Sequence, residues 1–255
     1  MKAIKLLLFT VSFCALQVVA QNNNTATGAL VGTWMETTDT LREIKIISPT
    51  HVFFMVFNKD SFLYAGAGTY TIDGNKYTEH LQYANFAVDS MKGFTFDYNV
   101  DGDKFMQKGT LTMPDGSEAQ INHTFTRVKS DMPYDGPHVG TWNQLSSSFT
   151  DENGNKASHT NATHIRFQIV TPTHWMRIST ANNKFENAFG GTYIIDGGKM
   201  NIKVDYASDP ALIGVTAELT QRFEGNKNYW AGIVKDTSDK QINQIEDVFE
   251  RVEVK

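Results

Sequence analysis

The tetrapeptide Val-Gly-Thr-Trp occurs twice in this chain, at residues 31–34 and 139–142. Each copy opens a segment of about a hundred residues that ends in Phe-x-Arg-Val, at 125–128 and 249–252. Both segments contain the same shorter motifs in the same order, among them Pro-Thr-His and Gly-Thr-Tyr-x-Ile-Asp-Gly. A repeat of this length predicts two domains of one fold, joined in tandem.

The first 20 residues have the pattern of a secretory signal peptide. A basic start with Lys2 and Lys5 precedes an apolar run, and Val18-Val19-Ala20 fits a small-residue cleavage site. Cleavage there would also remove Cys14, the only cysteine, so the mature protein is expected to contain no disulfide. Export without disulfides favours a bacterial periplasm or cell surface over a eukaryotic extracellular space.

Charge and hydropathy narrow the choice of partners. Removing Lys2 and Lys5 from the 23 basic residues leaves 21 against 28 acidic ones, a net charge of −7. No stripe of basic residues remains, so nucleic acid is not expected as a partner. The apolar leader is too short for a stable membrane span, and no integral span is expected. The oligomeric state is left open.

The domain boundaries follow from the repeat and from local composition. Residues 21–27 are polar and rich in asparagine, which is typical of a disordered tether. The first domain is predicted to cover residues 28–129 and the second 138–255. Residues 130–137 contain two prolines and a glycine and are predicted to form a short, stiff linker.

Strand signals dominate both domains. The segment 52–57 is apolar on both faces and rich in β-forming residues, as a strand of a closed barrel would be. Asp73-Gly74-Asn75 and Asp196-Gly197-Gly198 are hairpin turn signals at matching places of the repeat. Helical periodicity is almost absent. The sequence therefore predicts an all-β protein with two tandem antiparallel β-barrels.

The repeat ends resemble those of a known superfamily. A Gly-x-Trp on the first strand and an arginine on the last strand are similar to the lipocalin/calycin pattern. The resemblance implies that Arg127 covers Trp34 and that Arg251 covers Trp142 at the closed end of each barrel. The repeat also resembles small secreted bacterial lipocalin-like domains without an assigned function, so the resemblance implies no activity.

The second copy is longer than the first near its start. Fifteen residues separate Trp34 from Pro49, whereas 30 separate Trp142 from Pro172, which places an insert at about 147–160. Acidic and amide side chains in the insert suggest a calcium loop. However, the glycine stands fourth rather than sixth and the closing glutamate is missing. A plain hairpin extension is favoured.

A closed barrel encloses apolar space, so a small hydrophobic or amphipathic ligand is expected in one or both barrels. Two orientations stay open for Glu79, which shares a strand face with Tyr77 and Tyr83. If that face is inward, Glu79 is a ligand-orienting carboxylate with a raised pKa. If it is outward, Glu79 is solvated. An inward Arg177 would hold a ligand carboxylate, but an outward surface position is favoured.

His51 and His174 both follow Pro-Thr at a strand start. A structural role at the strand end is favoured over a place at a pocket mouth or in a metal site. A zinc site of His51, Glu79 and His80 is disfavoured because neighbouring residues of one strand point to opposite faces. No metal and no cofactor are expected.

Three hypotheses of function remain, in descending order. The first is an exported carrier of a small hydrophobic or amphipathic ligand. The second is an interaction or structural module of the cell envelope, in which aromatic side chains fill both barrels. The third is an uncharacterised barrel enzyme that uses Glu79, although no nucleophile elbow or phosphate loop occurs and no catalytic residue is assigned. The predicted ligand-binding residues are Trp34, His51, Phe53, Met55, Tyr70, Tyr77, Glu79, Tyr83, Trp142, His174, Met176, Arg177, Tyr193, Tyr206 and Trp230.

Overall fold

The computed structural model describes residues 28–87, 93–112, 116–132, 135–160, 164–182 and 184–253. The predicted leader and tether lie outside the described residues. Strands make up nearly all of the regular structure in these ranges, as predicted. Among the residues described, no helix has the length and apolarity needed to span a bilayer.

The first eight strands form one closed antiparallel barrel. Each strand pairs with the next along the chain, and the last returns to pair with the first. This architecture confirms the predicted fold of the first repeat. The strands are β1 (Gly32–Thr37), β2 (Leu41–Ile47), β3 (His51–Asn58), β4 (Ser61–Asp73), β5 (Lys76–Ala84), β6 (Phe94–Asp101), β7 (Lys104–Thr112) and β8 (Glu118–Arg127).

The second repeat closes in the same way, because its first long strand pairs with its last. Its strands are β9 (Gly140–Asp151), β10 (Lys156–Thr160), β11 (His164–Val170), β12 (His174–Ala181), β13 (Lys184–Asp196), β14 (Lys199–Lys203), β15 (Tyr206–Ala207), β16 (Thr216–Glu224), β17 (Lys227–Lys235) and β18 (Gln241–Arg251). A short 3-10 turn at Pro210–Leu212 precedes β16. The short strand β15 pairs with β13 beside the closed path.

The insert of the second repeat is a hairpin, as expected from its composition. The end of β9 pairs with β10 over Ser146–Thr150 and Lys156–Thr160. At the turn, the Asp151 carboxylate accepts hydrogen bonds from the backbone N–H of Asn153 and Asn155, at 2.8 Å each. The side chain of Asn155 donates a third bond to Asp151. The acidic oxygens therefore stabilise the turn itself.

An arginine covers a tryptophan at the closed end of each barrel, as the lipocalin resemblance implied. The guanidinium carbon of Arg127 lies 4.0 Å from the Trp34 ring centroid, and that of Arg251 lies 4.2 Å from the Trp142 centroid. Each guanidinium also donates hydrogen bonds to carbonyl groups of the segment before the first strand, including Val31 in the first barrel. Stacking and donation together seal the barrel floor.

The two barrels pack against each other through a seam of outward-facing apolar side chains. The seam lies between β2, β3 and β4 of the first barrel and β11, β12 and β13 of the second. It explains why segment 52–57 is apolar on both faces: one face lines the first barrel and the other is covered by the second. The buried seam residues are Ile44, Ile46, Phe53, Met55, Phe57, Ala65, Ala67, Phe167, Ile169, Met176, Ile178 and Ala188.

Hydrogen bonds across the seam follow the internal repeat. The hydroxyl of Thr33 lies 2.7 Å from that of Thr171, and the hydroxyl of Ser48 lies 2.7 Å from that of Thr141. Thr33 and Thr141 occupy the same position of the two repeats, as do Ser48 and Thr171. The barrels therefore meet through equivalent surfaces, as the subunits of a twofold dimer do.

Candidate functional site

Aromatic rings fill the closed half of the first barrel. The Trp34 and Phe105 ring centroids are 5.4 Å apart, and Phe105 and Phe125 are also 5.4 Å apart. Tyr77 packs edge-on against Phe105 at 5.8 Å. Burial, with Glu79 close by, raises the pKa of Tyr77 well above its usual value. This half of the barrel is core, with its apolar rings in mutual contact.

The other half of the first barrel holds a cavity of about 300 Å³. Leu63 and Tyr64 of β4 line it and are 37% and 46% exposed, so the cavity reaches the surface beside them. An eight-stranded barrel has an interior of the size that holds one small ligand. The apolar wall is formed by Leu41, Phe54, Val56, Leu63, Tyr64, Phe86, Phe94, Phe96, Leu111, Ala119 and Ile121.

A buried charged layer separates this cavity from the aromatic core. The Lys45 ammonium lies 2.9 Å from Glu79 Oε1 and 3.5 Å from Glu43 Oε1, and it donates to Gln107 Oε1 at 2.6 Å. Burial opposes the charge of Lys45, but Glu79 and Glu43 outweigh it and raise the lysine pKa. Glu79 therefore points into the barrel, which is one of the two orientations that the sequence left open. It forms an ion pair with Lys45.

His123 connects a third carboxylate, that of Glu36, to the same layer. Its Nδ1 lies 2.6 Å from Glu36 Oε2 and 3.1 Å from Glu43 Oε2. Burial opposes protonation, but Glu43 and Glu36 together raise the His123 pKa. The ligand atoms of these three residues lie within 4.8 Å of one another, a spacing that could hold a cation. With Lys45 only 3.5 Å from Glu43, the geometry fits an ion-pair network better than a metal centre.

The second barrel holds a cavity of about 320 Å³ with a different polar lining. Arg177 lines it and is 8% exposed, so the outward position favoured from the sequence is wrong. Side chains alternate along β12: Trp175, Arg177 and Ser179 line the cavity, whereas Met176 and Ile178 lie in the seam. The outward position follows only if the flanking residues Met176 and Ile178 are taken to face the barrel interior. They face the other barrel instead.

The Arg177 guanidinium makes few close polar contacts for a buried charge. Its Nε and Nη2 donate to Gln168 Oε1 at 3.2 and 3.0 Å, and its Nη1 lies 3.4 Å from Asp247 Oδ2. Burial and the nearby Arg166 lower the Arg177 pKa, while Asp247 opposes them. Arg166 also lines the cavity and donates to Gln144 Oε1 at 3.1 Å.

Equivalent positions of the two barrels carry different charges. The strand register pairs Trp34 with Lys45 in the first barrel and Trp142 with Gln168 in the second. Two residues earlier on the same strand, Glu43 of the first barrel corresponds to Arg166 of the second. On the next strand, the position of Phe54 is that of Arg177. The first interior is thus rich in carboxylates, and the second has an excess of cations.

The structure distributes the sequence-predicted site residues over the two cavities, the barrel cores and the seam. Glu79 lines the first cavity, and Arg177 and Trp230 line the second. Five others lie in the barrel cores rather than at the cavities described: Trp34, Tyr70, Tyr77, Trp142 and Tyr193. The remaining seven lie in or against the seam and face away from both interiors: His51, Phe53, Met55, Tyr83, His174, Met176 and Tyr206.

The two Pro-Thr-His histidines lie in the seam, not at a pocket mouth. The His51 ring is 5.3 Å from that of Phe167, and its Nδ1 lies 2.7 Å from the Thr50 hydroxyl. The His174 ring is 6.3 Å from that of Tyr206. Burial lowers the pKa of both histidines to about 4. Since His51 lies in the seam and His80 is exposed, the disfavoured zinc trio does not come together.

Most polar residues that line the two cavities were not predicted from the sequence, among them Glu43, Lys45, Gln107, His123, Arg166 and Asp247. The signal was present in β2, where the polar residues Glu43 and Lys45 alternate with Ile44 and Ile46. Such alternation ordinarily indicates a solvated polar face. Here the apolar face is covered by the other barrel, so the polar face is the interior.

Comparison with known protein families and with curated proteins yields no match. Among solved structures, a protein of unknown function from the DUF3598 family of Nostoc punctiforme aligns over 90% of this chain and 99% of its own. The identity is 9% and the TM-score is 0.28. The DNA polymerase III beta chain of Streptococcus pneumoniae aligns over 94% of this chain and 63% of its own, with 10% identity and a TM-score of 0.16. Neither likeness assigns an activity.

Proposed function

We propose that this protein is an exported lipocalin-like binding protein that holds a small amphipathic molecule inside a barrel. The observation that carries the proposal is the first cavity, an apolar chamber that ends on a buried charged layer. The leader pattern supports export to the periplasm or surface of a bacterium. The arginine-covered tryptophans support the lipocalin-like assignment.

The lining of the first cavity suits a ligand with one polar end. The apolar walls would bury the body of the ligand, which is the main source of affinity in such sites. At the charged layer, the Nε2 of Gln107 has no acceptor among the described residues, although Gln107 is only 2% exposed. A buried donor without an acceptor is costly, and a ligand oxygen would satisfy it.

The charged layer favours binding over catalysis. A general base must be free to accept a proton from its substrate. Glu79 is held by Lys45 at 2.9 Å, and Glu43 lies between Lys45 and His123. The layer is therefore best suited to orient a bound molecule.

The proposal can be tested by filling the first cavity. Ala119 lines it, whereas its neighbour Gln120 is exposed on the outside of the same strand. We expect native mass spectrometry to detect amphiphile adducts on the mature protein, and Ala119→Trp to bind one molecule fewer. Gln120→Trp is the matched control and should bind like the parent. Unchanged binding by a folded Ala119→Trp variant would overturn the assignment of this cavity.

A further inference from the structure

Two tryptophans and two arginines place hydrogen-bond donors in the lining of the second cavity. Trp175 and Trp230 are each 1% exposed and line the cavity, yet neither indole N–H has an acceptor among the described residues. Arg166 and Arg177 add two guanidinium groups to the same lining. Buried donors without acceptors are rare in folded proteins because burial removes water without replacing its hydrogen bonds.

One carboxylate, that of Asp247, lines the cavity with these donors, beside the hydroxyl groups of Ser147, Ser179 and Thr216. The Asp247 carboxylate is 3% exposed and lies 3.4 Å from Arg177, beyond the usual range of a close guanidinium–carboxylate bond. The side-chain oxygen of Asn187 also lines the cavity without a donor, and rotation of its amide would present a further N–H instead. With two arginines against one aspartate, the lining has one positive charge in excess.

The rest of the lining is apolar. Phe189, Val204, Leu219 and Ile245 are among the side chains that form the wall around the donors. The cavity of about 320 Å³ is also large enough for a small organic molecule. A molecule that satisfies both parts of the lining has an apolar body and one anionic group. A planar carboxylate matches the paired N–H groups of a guanidinium.

We infer that the second barrel binds the carboxylate of an amphipathic acid, with Arg177 as the main contact and Arg166 and the two indole N–H groups around it. The inference rests on the proposed function and specifies its ligand class for this barrel. The first barrel offers no such excess of positive charge, because Lys45 and His123 are ion-paired with Glu79, Glu43 and Glu36 around its cavity.

Three ten-carbon probes with different end groups test the inference: decanoate, decanol and decyltrimethylammonium. Binding to the mature protein can be followed by titration calorimetry and by tryptophan fluorescence. Trp175 and Trp230 line the cavity, whereas Trp34 and Trp142 lie under arginines at the closed ends. We expect decanoate to bind the second barrel on the order of tenfold or more tightly than decanol and to change the emission.

The deciding variant removes the Arg177 guanidinium without leaving Asp247 buried and unpaired. Arg177→Met/Asp247→Asn should weaken decanoate binding on the order of tenfold to a hundredfold and leave decanol binding unchanged. Glu79→Gln, in the other barrel, should not alter the tight decanoate site. Equal affinity of the parent for decanoate and decanol, or unchanged decanoate affinity in the double variant, would overturn the inference. In either case the proposed function would stand, whereas failure of all three probes would overturn both.

Discussion

Phe62 of the first barrel stacks on Phe185 of the second, with ring centroids 6.1 Å apart and ring planes 6° apart. The two residues occupy the same place in the internal repeat, because Phe62 pairs with Phe57 across its hairpin and Phe185 pairs with Thr180 at the matching position. A residue that contacts its own equivalent lies near the twofold axis of an isologous interface. The stacked pair therefore marks the pseudo-twofold axis of the seam.

The packing of the seam predicts that two neighbouring phenylalanines differ in their contribution to the free energy of unfolding. Phe53 is fully buried between the barrels, whereas Phe54 lines the first cavity. Phe53→Ala should lower the free energy of unfolding by about 3–5 kcal/mol, because it leaves a void in packed core. Phe54→Ala should cost less, because it only enlarges an existing cavity. Urea denaturation measures both, and equal losses would contradict the assignment of the two faces.

The buried seam histidines predict loss of stability in mild acid. Burial lowers the pKa of His51 and His174 to about 4, whereas an unfolded histidine titrates near 6.5. The unfolded chain therefore binds more protons between these values, and stability falls as the pH drops from about 6.5 toward 4. Each histidine contributes up to about 3 kcal/mol to this loss.

Replacing the seam histidines should flatten that dependence. Denaturation of the double variant His51→Gln/His174→Gln at pH 7.5, 6 and 5 should show a smaller change in unfolding free energy than the parent. His80 is exposed, and His80→Gln serves as the control that keeps the parental slope. A parental slope in the double variant would show that these two histidines do not cause the acid sensitivity.

The charged layer predicts that replacing Lys45 strongly lowers the free energy of unfolding. Lys45→Met leaves Glu79 buried without its cation and Glu43 with His123 alone, and we expect a loss of about 3–5 kcal/mol in unfolding free energy. Adding Glu79→Gln should recover part of that loss. The pair Lys76–Asp97 is the control: its atoms are 2.8 Å apart, but both side chains are about half exposed. Lys76→Met should cost no more than about 1 kcal/mol.

The arginine stacked on Trp34 at the closed end of the first barrel predicts that lysine cannot replace Arg127 without loss of stability. Arg127→Ala removes a cation stacked on Trp34 and the donors to the carbonyl groups of Val31 and Ala29, so a loss of about 2 kcal/mol is expected. Arg127→Lys should recover little, because an ammonium cannot stack and donate to two carbonyl groups in one plane. Thermal unfolding of both variants gives the comparison, and full recovery by lysine would refute the stacking argument.

The repeat and the barrels could be predicted from repeated motifs and strand signals, and the covered tryptophans from the resemblance to the lipocalin pattern. Which face of each strand points into its barrel could not be predicted. For β2 and β12, the sequence alone cannot tell whether an alternating strand is covered on its apolar face by the same domain or by another. For this reason Lys45 was not predicted to line an interior, and Arg177 was predicted to lie on the surface. Glu79 was assigned two possible orientations because its own strand contains polar residues on both faces.

Two identical chains that met through this seam would have two identical interiors, because every change in one subunit would also occur in the other. Covalent linkage of the halves removes that constraint. Glu43 and Arg166, at matching places on either side of the axis, show what the linkage allows. The contact surface keeps the symmetry of a dimer, while the interiors on its two sides differ in charge and in polar lining.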